Sequence, residues 1–236
     1  MSYQDILNQT NWVKTRDDAK QSNVNLVTLF ENITILLQPD LILEFGAREA
    51  EFSKKMVNQL PKARIKCFEA NPFSYQEYSK PFESIANVEY QNLAIGDTNQ
   101  IVQIKIPGND SNLTKGSASL AKRLNHPDQY NTQPVQQYTL DHLVNADPAK
   151  SIVAWIDVEG YLKPVIDGAS STLDRLNAIF VEVESRPFWH NQITDLQVYE
   201  EFTKYDLVPF AADRESPEQY NVIYVKSSIL SQLKGI

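Results

Sequence analysis

Cysteine is nearly absent from this chain. Cys67 stands alone, so no intrachain disulfide can form and no thiolate metal cage can assemble. Glycine is sparse as well, with seven in 236 residues, which makes each glycine at a turn informative. No apolar run approaches the roughly 20 residues needed to cross a bilayer. The opening residues, Met1-Ser2-Tyr3-Gln4-Asp5, lack a basic region followed by an apolar core, the pattern of an export signal. The expectation is a cytoplasmic protein with no membrane partner. Asn8-Gln9-Thr10, Asn32-Ile33-Thr34 and Asn112-Leu113-Thr114 match the glycosylation pattern, but without an export signal they read as chance.

A surplus of basic charge is missing too. The formal net charge is −8, and neutralising phosphates requires a basic surface, so nucleic acid is not an expected partner. Lys54 and Lys55 with Lys62 and Arg64 form the nearest basic patch, and they read as a solvated helix face.

What the chain does have is acids at the ends of apolar runs. Ile152-Val153-Ala154-Trp155-Ile156 leads into Asp157-Val158-Glu159-Gly160, Leu41-Ile42-Leu43 into Glu44-Phe45-Gly46, and Ile65-Lys66-Cys67-Phe68 into Glu69. In an open α/β sheet, ligands collect outside the carboxyl ends of the strands. Acids at these junctions therefore point to a small-molecule site.

Helical stripes separate the strands. Leu26, Leu29, Phe30, Ile33, Leu36 and Leu37 recur at helical spacing, as do Phe52, Met56, Val57 and Leu60. Residues 1–40 read as an N-terminal helical extension, and residues 41–236 as one α/β domain. Strands are expected at 41–45, 65–69, 88–95, 152–156 and 179–183, with a crossover helix over 162–176 and a closing pair at 205–210 and 220–225. An antiparallel insert starts near Ile101, and 107–133 is polar and irregular. Alternation of this kind predicts parallel βαβ units.

The turn Gly46-Ala47-Arg48-Glu49-Ala50-Glu51 cannot be read as G-x-G-x-x-G. Glu44 and Glu49 flank it, which disfavours a pyrophosphate and favours a cationic sulfonium. Glu69, about twenty residues further on, is placed to accept hydrogen bonds from ribose hydroxyls. The charge pattern thus prefers S-adenosylmethionine, with a nicotinamide-dependent oxidoreductase or a catalytically silent interaction module as alternatives.

Six motifs now stand in order: Glu44 to Arg48 with Phe52-Ser53, Phe68 to Pro72, Asn92 to Asp97, Gly116 to Leu120, Tyr138 to Leu143, and Ile156 to Gly160. Together they resemble the FkbM-type family of S-adenosylmethionine-dependent methyltransferases over roughly residues 41–185. The resemblance implies a Rossmann-like seven-strand class I methyltransferase sheet with helices on both faces. It also implies methyl transfer, usually to an oxygen of a sugar, glycan or natural product. It would put Glu44, Gly46 and Ala47 by the methionine part, Glu69 on the ribose, and Asn92, Leu93 and Ala94 beside the adenine. Arg48, Ala70 and Asp157 lie in the same loops and join the expected cofactor residues. The chain departs from the family at Glu44 (commonly Asp), Arg48 (Asn), Ala50 (Gly) and Leu162 (Glu).

A hydroxyl acceptor benefits from a general base. Asp157 is the first candidate, Glu159 the second, and His190 in Phe188-Trp189-His190 the third. Asp157 with Glu182 or Glu184 can alternatively be read as an oxygen-only site for magnesium or calcium, although no metal is expected. His142 reads as structural, and His126 as a residue of the irregular insert. The walls of the acceptor pocket are expected from 107–133 and 185–194, which carry Leu120, Tyr130, Phe188 and Trp189.

Overall fold

The computed structural model describes residues 19–108, 113–114, 116–125, 129–213, 216 and 218–234. The first helix among the described residues, α1 (Ala19–Leu37), buries Leu26, Phe30 and Ile33 completely. It packs on the sheet within the same apolar cluster as Ile42, Val153 and Phe180. The boundary drawn at residue 40 falls in the short connection between this helix and β1 (Leu41–Phe45).

The chain continues through α2 (Glu51–Gln59), β2 (Arg64–Phe68), α3 (Pro72–Tyr78), β3 (Val88–Gln91) and the two-residue β4 (Ala94–Ile95). Next come β5 (Gln100–Pro107), β6 (Tyr130–Tyr138), α4 (Leu140–Val144) and β7 (Ile152–Ile156). The last elements are α5 (Leu162–Asp167), α6 (Ser170–Leu173), β8 (Leu176–Glu184), α7 (Asp195–Thr203), β9 (Leu207–Ala212) and β10 (Gln219–Lys226).

Seven strands form the main sheet in the order β3-β2-β1-β7-β8-β10-β9. The first five are mutually parallel, and β10 runs antiparallel to both β8 and β9. β1 is buried along its whole length, as expected of a central strand covered on both faces. Alternation divides it: Leu41, Leu43 and Phe45 join one core cluster, and Ile42 joins the other. On the second face Phe30, Phe52, Trp155 and Phe180 meet ring to ring, Trp155 stacking on Phe180 at 3.8 Å between centroids.

Three expected elements differ. The strand expected over 88–95 is two, because Asn92 turns the chain: its amide donates to the carbonyls of Glu69 (2.8 Å) and Ala70 (3.3 Å). β4 then leaves for a second sheet, β4-β6-β5, where the antiparallel insert sits as expected. The helix expected over 162–176 breaks into α5 and α6 at Gly168, where a Cβ would stand 1.9 Å from the Gly96 carbonyl oxygen. β8 begins three residues earlier than the apolar run at Ile179 indicates. No helix among the described residues is long and apolar enough to cross a membrane.

Candidate active site

Strand order reverses between β1 and β7, and both strands end in the acidic junctions. The two ends are locked together: the Asp157 N–H donates to the Phe45 carbonyl at 3.1 Å. Gly46 follows at φ 68°, and a Cβ there would lie 1.7 Å from the Asp157 carbonyl oxygen. The glycine is therefore required by a neighbouring strand end and by its own left-handed backbone. Arg48 (φ 40°) and Ala50 (φ 50°) share that conformation, so the turn is strained at two non-glycine positions.

Buried carboxylates fix this turn from both sides. Glu44 accepts the Ser53 N–H at 2.9 Å and the Ser53 hydroxyl, tying β1 to the first turn of α2. Burial pushes its pKa up to about 7, against the pull of the Ser53 donors. Glu69 accepts the Arg48 N–H at 2.8 Å on one oxygen and the Asn71 N–H at 2.7 Å on the other. Burial also raises Glu69 to about 7, with the Asp157 charge adding to it and the two amides opposing.

The Arg48 side chain turns towards Glu49 (3.0 Å) and donates to the Thr114 carbonyl (3.0 Å), passing over the Tyr78 ring. Its guanidinium is thereby held by local partners.

These residues wall a cavity of about 420 Å³, within the usual range for ligand sites. Glu44, Gly46, Ala47, Arg48, Glu69, Ala70, Leu93, Ala94, Asp157 and Glu159 all line it. Asn92 does not; its amide positions the Glu69–Ala70 loop instead. From the insert, Gly116 and Ala118 to Leu120 contribute to the wall, and the Ser119 hydroxyl donates to the Glu159 carbonyl at 2.6 Å. The 185–194 loop pairs with that insert through Leu124 N–H to Phe188 O (2.7 Å) and His190 N–H to Lys122 O (2.8 Å). Trp189 packs on Gly160, where a Cβ would meet the indole at 2.2 Å. This loop braces the wall rather than lining the main cavity.

Asp157, Glu159 and Glu182 each bring one carboxylate oxygen within 4.8 Å of the others. β8 supplies Glu182, whose pKa is raised by burial and then by the charges of Asp157, Glu159 and Glu184. Burial lifts Glu184 to about 7, and it lies outside the trio. Such a group can share a proton between acids or offer hard oxygen ligands. His190 is exposed and lines neither this cavity nor the small one beside Glu182 and Glu184. His142 stacks on Tyr138 at 5.1 Å. His126 lies outside the described residues.

Sequence reasoning did not find several lining residues, among them Val27, Glu31, Lys55, Ser74 and Tyr161. Lys55 was expected on a solvated face, and it is half-exposed at the cavity while paired with Glu31 at 2.6 Å. No local sequence signal marks that pair, since its partners sit on different helices.

The parallel sheet with its reversed strand order, its antiparallel β10 and its acid-walled cavity at the reversal define the class I methyltransferase architecture. The family described as "Methyltransferase FkbM domain" matches residues 13–208. The chain belongs to this family. One relative is the 2-O-methyltransferase NoeI of Sinorhizobium fredii (strain NBRC 101917 / NGR234), 23% identical over 186 residues, covering 75% of this chain and 76% of NoeI. Among solved structures, the precorrin-6y C5,15-methyltransferase of Geobacter metallireducens GS-15 is 16% identical, covers 93% of this chain and 96% of its own, and has a TM-score of 0.46. Fibrillarin of Aeropyrum pernix, solved with natively bound S-adenosyl-L-methionine, is 10% identical, covers 79% of this chain and 66% of its own, and has a TM-score of 0.45.

Proposed function

We propose that this protein is an S-adenosylmethionine-dependent O-methyltransferase acting on a hydroxyl of a sugar, glycan or natural product. The observation that carries the reading is the cavity at the strand-order reversal, with buried Glu44 and Glu69 at its floor and Asp157 and Glu159 beside them. The residues present fit this cofactor. Among the described residues, seven acidic and two basic side chains line the cavity, a balance that suits a sulfonium with an ammonium and repels a pyrophosphate. When bound, S-adenosylmethionine supplies an activated methyl group on sulfur.

The chain's own residues then bind, orient and take a proton. Glu69 accepts from the ribose hydroxyls with the lone pairs its two amides leave free. Leu93 and Ala94 give the adenine an apolar bed. Asp157 accepts the acceptor hydroxyl's proton, and Glu159 and Glu182 hold the local charge balance around it. Alignment of acceptor oxygen, methyl and sulfur supplies most of the rate. The oxygen acceptor rests on the family resemblance and on the printed activity of NoeI at 23% identity.

Calorimetry with S-adenosylhomocysteine should show one site per chain, and a mass-spectrometric screen across glycans and small hydroxylated metabolites should show a gain of one methyl group. Binding of NAD and not of S-adenosylhomocysteine would overturn the proposal.

A further inference from the structure

The nucleoside end of the proposed cofactor is anchored over β2 and β3 by Glu69, Ala70, Leu93 and Ala94, all of which line the cavity. The cavity also has a wall in the second apolar cluster, whereas Leu93 packs against the first. That wall is built by Val27 and Glu31 of α1, Phe52 and Lys55 of α2, and Trp155 of β7. The methionine part ends in an ammonium and a carboxylate, so it asks for one anion and one cation side by side.

The charges of the cavity narrow the choice. Acids are abundant and serve either the sulfonium or the ammonium, while the carboxylate takes a cation or free backbone N–H groups. Arg48 and Lys55 are the two basic side chains lining the cavity among the described residues. Arg48 is held by Glu49, by the Thr114 carbonyl and over Tyr78. Lys55 pairs with Glu31 at 2.6 Å and is the more exposed of the two cations, at 53% against 40% for Arg48.

We propose that the Glu31–Lys55 pair, bridging α1 and α2, receives the α-amino-carboxylate end of the cofactor: Lys55 binds the carboxylate and Glu31 the ammonium. This assignment rests on the cofactor reading above. It gives α1 a part in the site, because its Glu31 stands beside the Lys55 ammonium on the cavity wall. The competing role is that of an ordinary ion pair tying two helices together, and an exposed pair of that kind contributes little to stability.

Two probes separate these roles. S-adenosylhomocysteine carries the amino acid, and 5′-methylthioadenosine has the same nucleoside thioether without it. Calorimetry on the full chain should find Lys55→Ala weakening S-adenosylhomocysteine by about 10- to 100-fold, as expected for a lost charge-assisted contact. The affinity for 5′-methylthioadenosine should stay within about twofold, a difference under 0.5 kcal/mol. Glu31→Gln should act in the same direction with a smaller loss. The charge exchange Glu31→Lys with Lys55→Glu restores a helix–helix ion pair but inverts the subsite, and it should not restore S-adenosylhomocysteine binding.

If both probes bind and all variants weaken them equally, or if the exchange restores full affinity, the pair is structural and the inference is overturned. If the native protein binds neither probe, the cofactor reading falls and takes this inference with it.

Discussion

The Glu69 carboxylate accepts the backbone N–H of Arg48 at 2.8 Å, so a buried acid ending β2 holds a left-handed residue in the turn after β1. The same carboxylate takes the Asn71 N–H at 2.7 Å. One side chain therefore sets two loops of the cavity. Glu69→Ala should cost stability as well as affinity, because the Arg48 and Asn71 amides lose their partner. Each effect should be about 1–3 kcal/mol. Denaturant titration and calorimetry with S-adenosylhomocysteine measure the two separately, and an affinity loss with stability intact would show that the amides find other acceptors.

The pH dependence follows from the same acids. Glu44 and Glu69 are both raised by burial from the ordinary value of 4.5 to about 7. The folded state then holds their protons more tightly than the unfolded chain does. Their contribution to stability is fully present below 4.5 and is lost as pH rises through 7. A cationic ligand reverses the preference, since it favours the ionised carboxylates. Affinity for S-adenosylmethionine should accordingly rise between pH 6 and 8. Calorimetry in buffers of different ionisation enthalpy should record proton release on binding near pH 6.5, and proton uptake would contradict this account.

Gly46 is the backbone hinge of the reversal. Gly46→Ala puts a methyl group into the Asp157 carbonyl and forces an L-residue to φ 68°. Left-handed strain and overpacking add, so a loss of about 3 kcal/mol or more is expected. Urea unfolding of the variant measures it. A loss below about 1 kcal/mol would mean that β1 and β7 can separate at their ends at little cost.

Much of this was legible in the chain. Glu44, Glu69 and Asp157 each follow an apolar run, so strand periodicity alone places them at strand ends, and parallel topology brings those ends together. The closing antiparallel pair and the insert are likewise written in local alternation. What was not legible depends on contacts between distant segments. Asn92 sits in an apolar-flanked run that reads as one strand, and only its bonds to the Glu69 and Ala70 carbonyls turn it. Gly168 breaks a helical pattern because Gly96, in the bend after β4, approaches it closely. Glu182 meets Asp157 through the pairing of β7 with β8, and Glu31 meets Lys55 across two helices.

The acid trio supplies the last prediction. Asp157 is the exposed member of the group, and Glu182 beside it is held towards its protonated form by burial and by its acidic neighbours. Asp157 beside a Glu182 held towards its protonated form is placed to accept a proton from a hydroxyl. Asp157→Asn should therefore lower turnover by about 10²- to 10⁴-fold, the usual worth of a positioned base. Cofactor affinity should stay nearly unchanged at pH 8. The Asp157 charge is also one cause of the raised Glu69 pKa. Removing it should move the pH dependence of cofactor binding to lower pH, an effect that loss of a base alone does not produce. Turnover is followed by methyl incorporation on whichever acceptor the screen identifies, and binding by calorimetry across pH. If Asp157→Asn weakens S-adenosylhomocysteine as strongly as it slows turnover, Asp157 is a cofactor-binding residue and the base must be sought in Glu159.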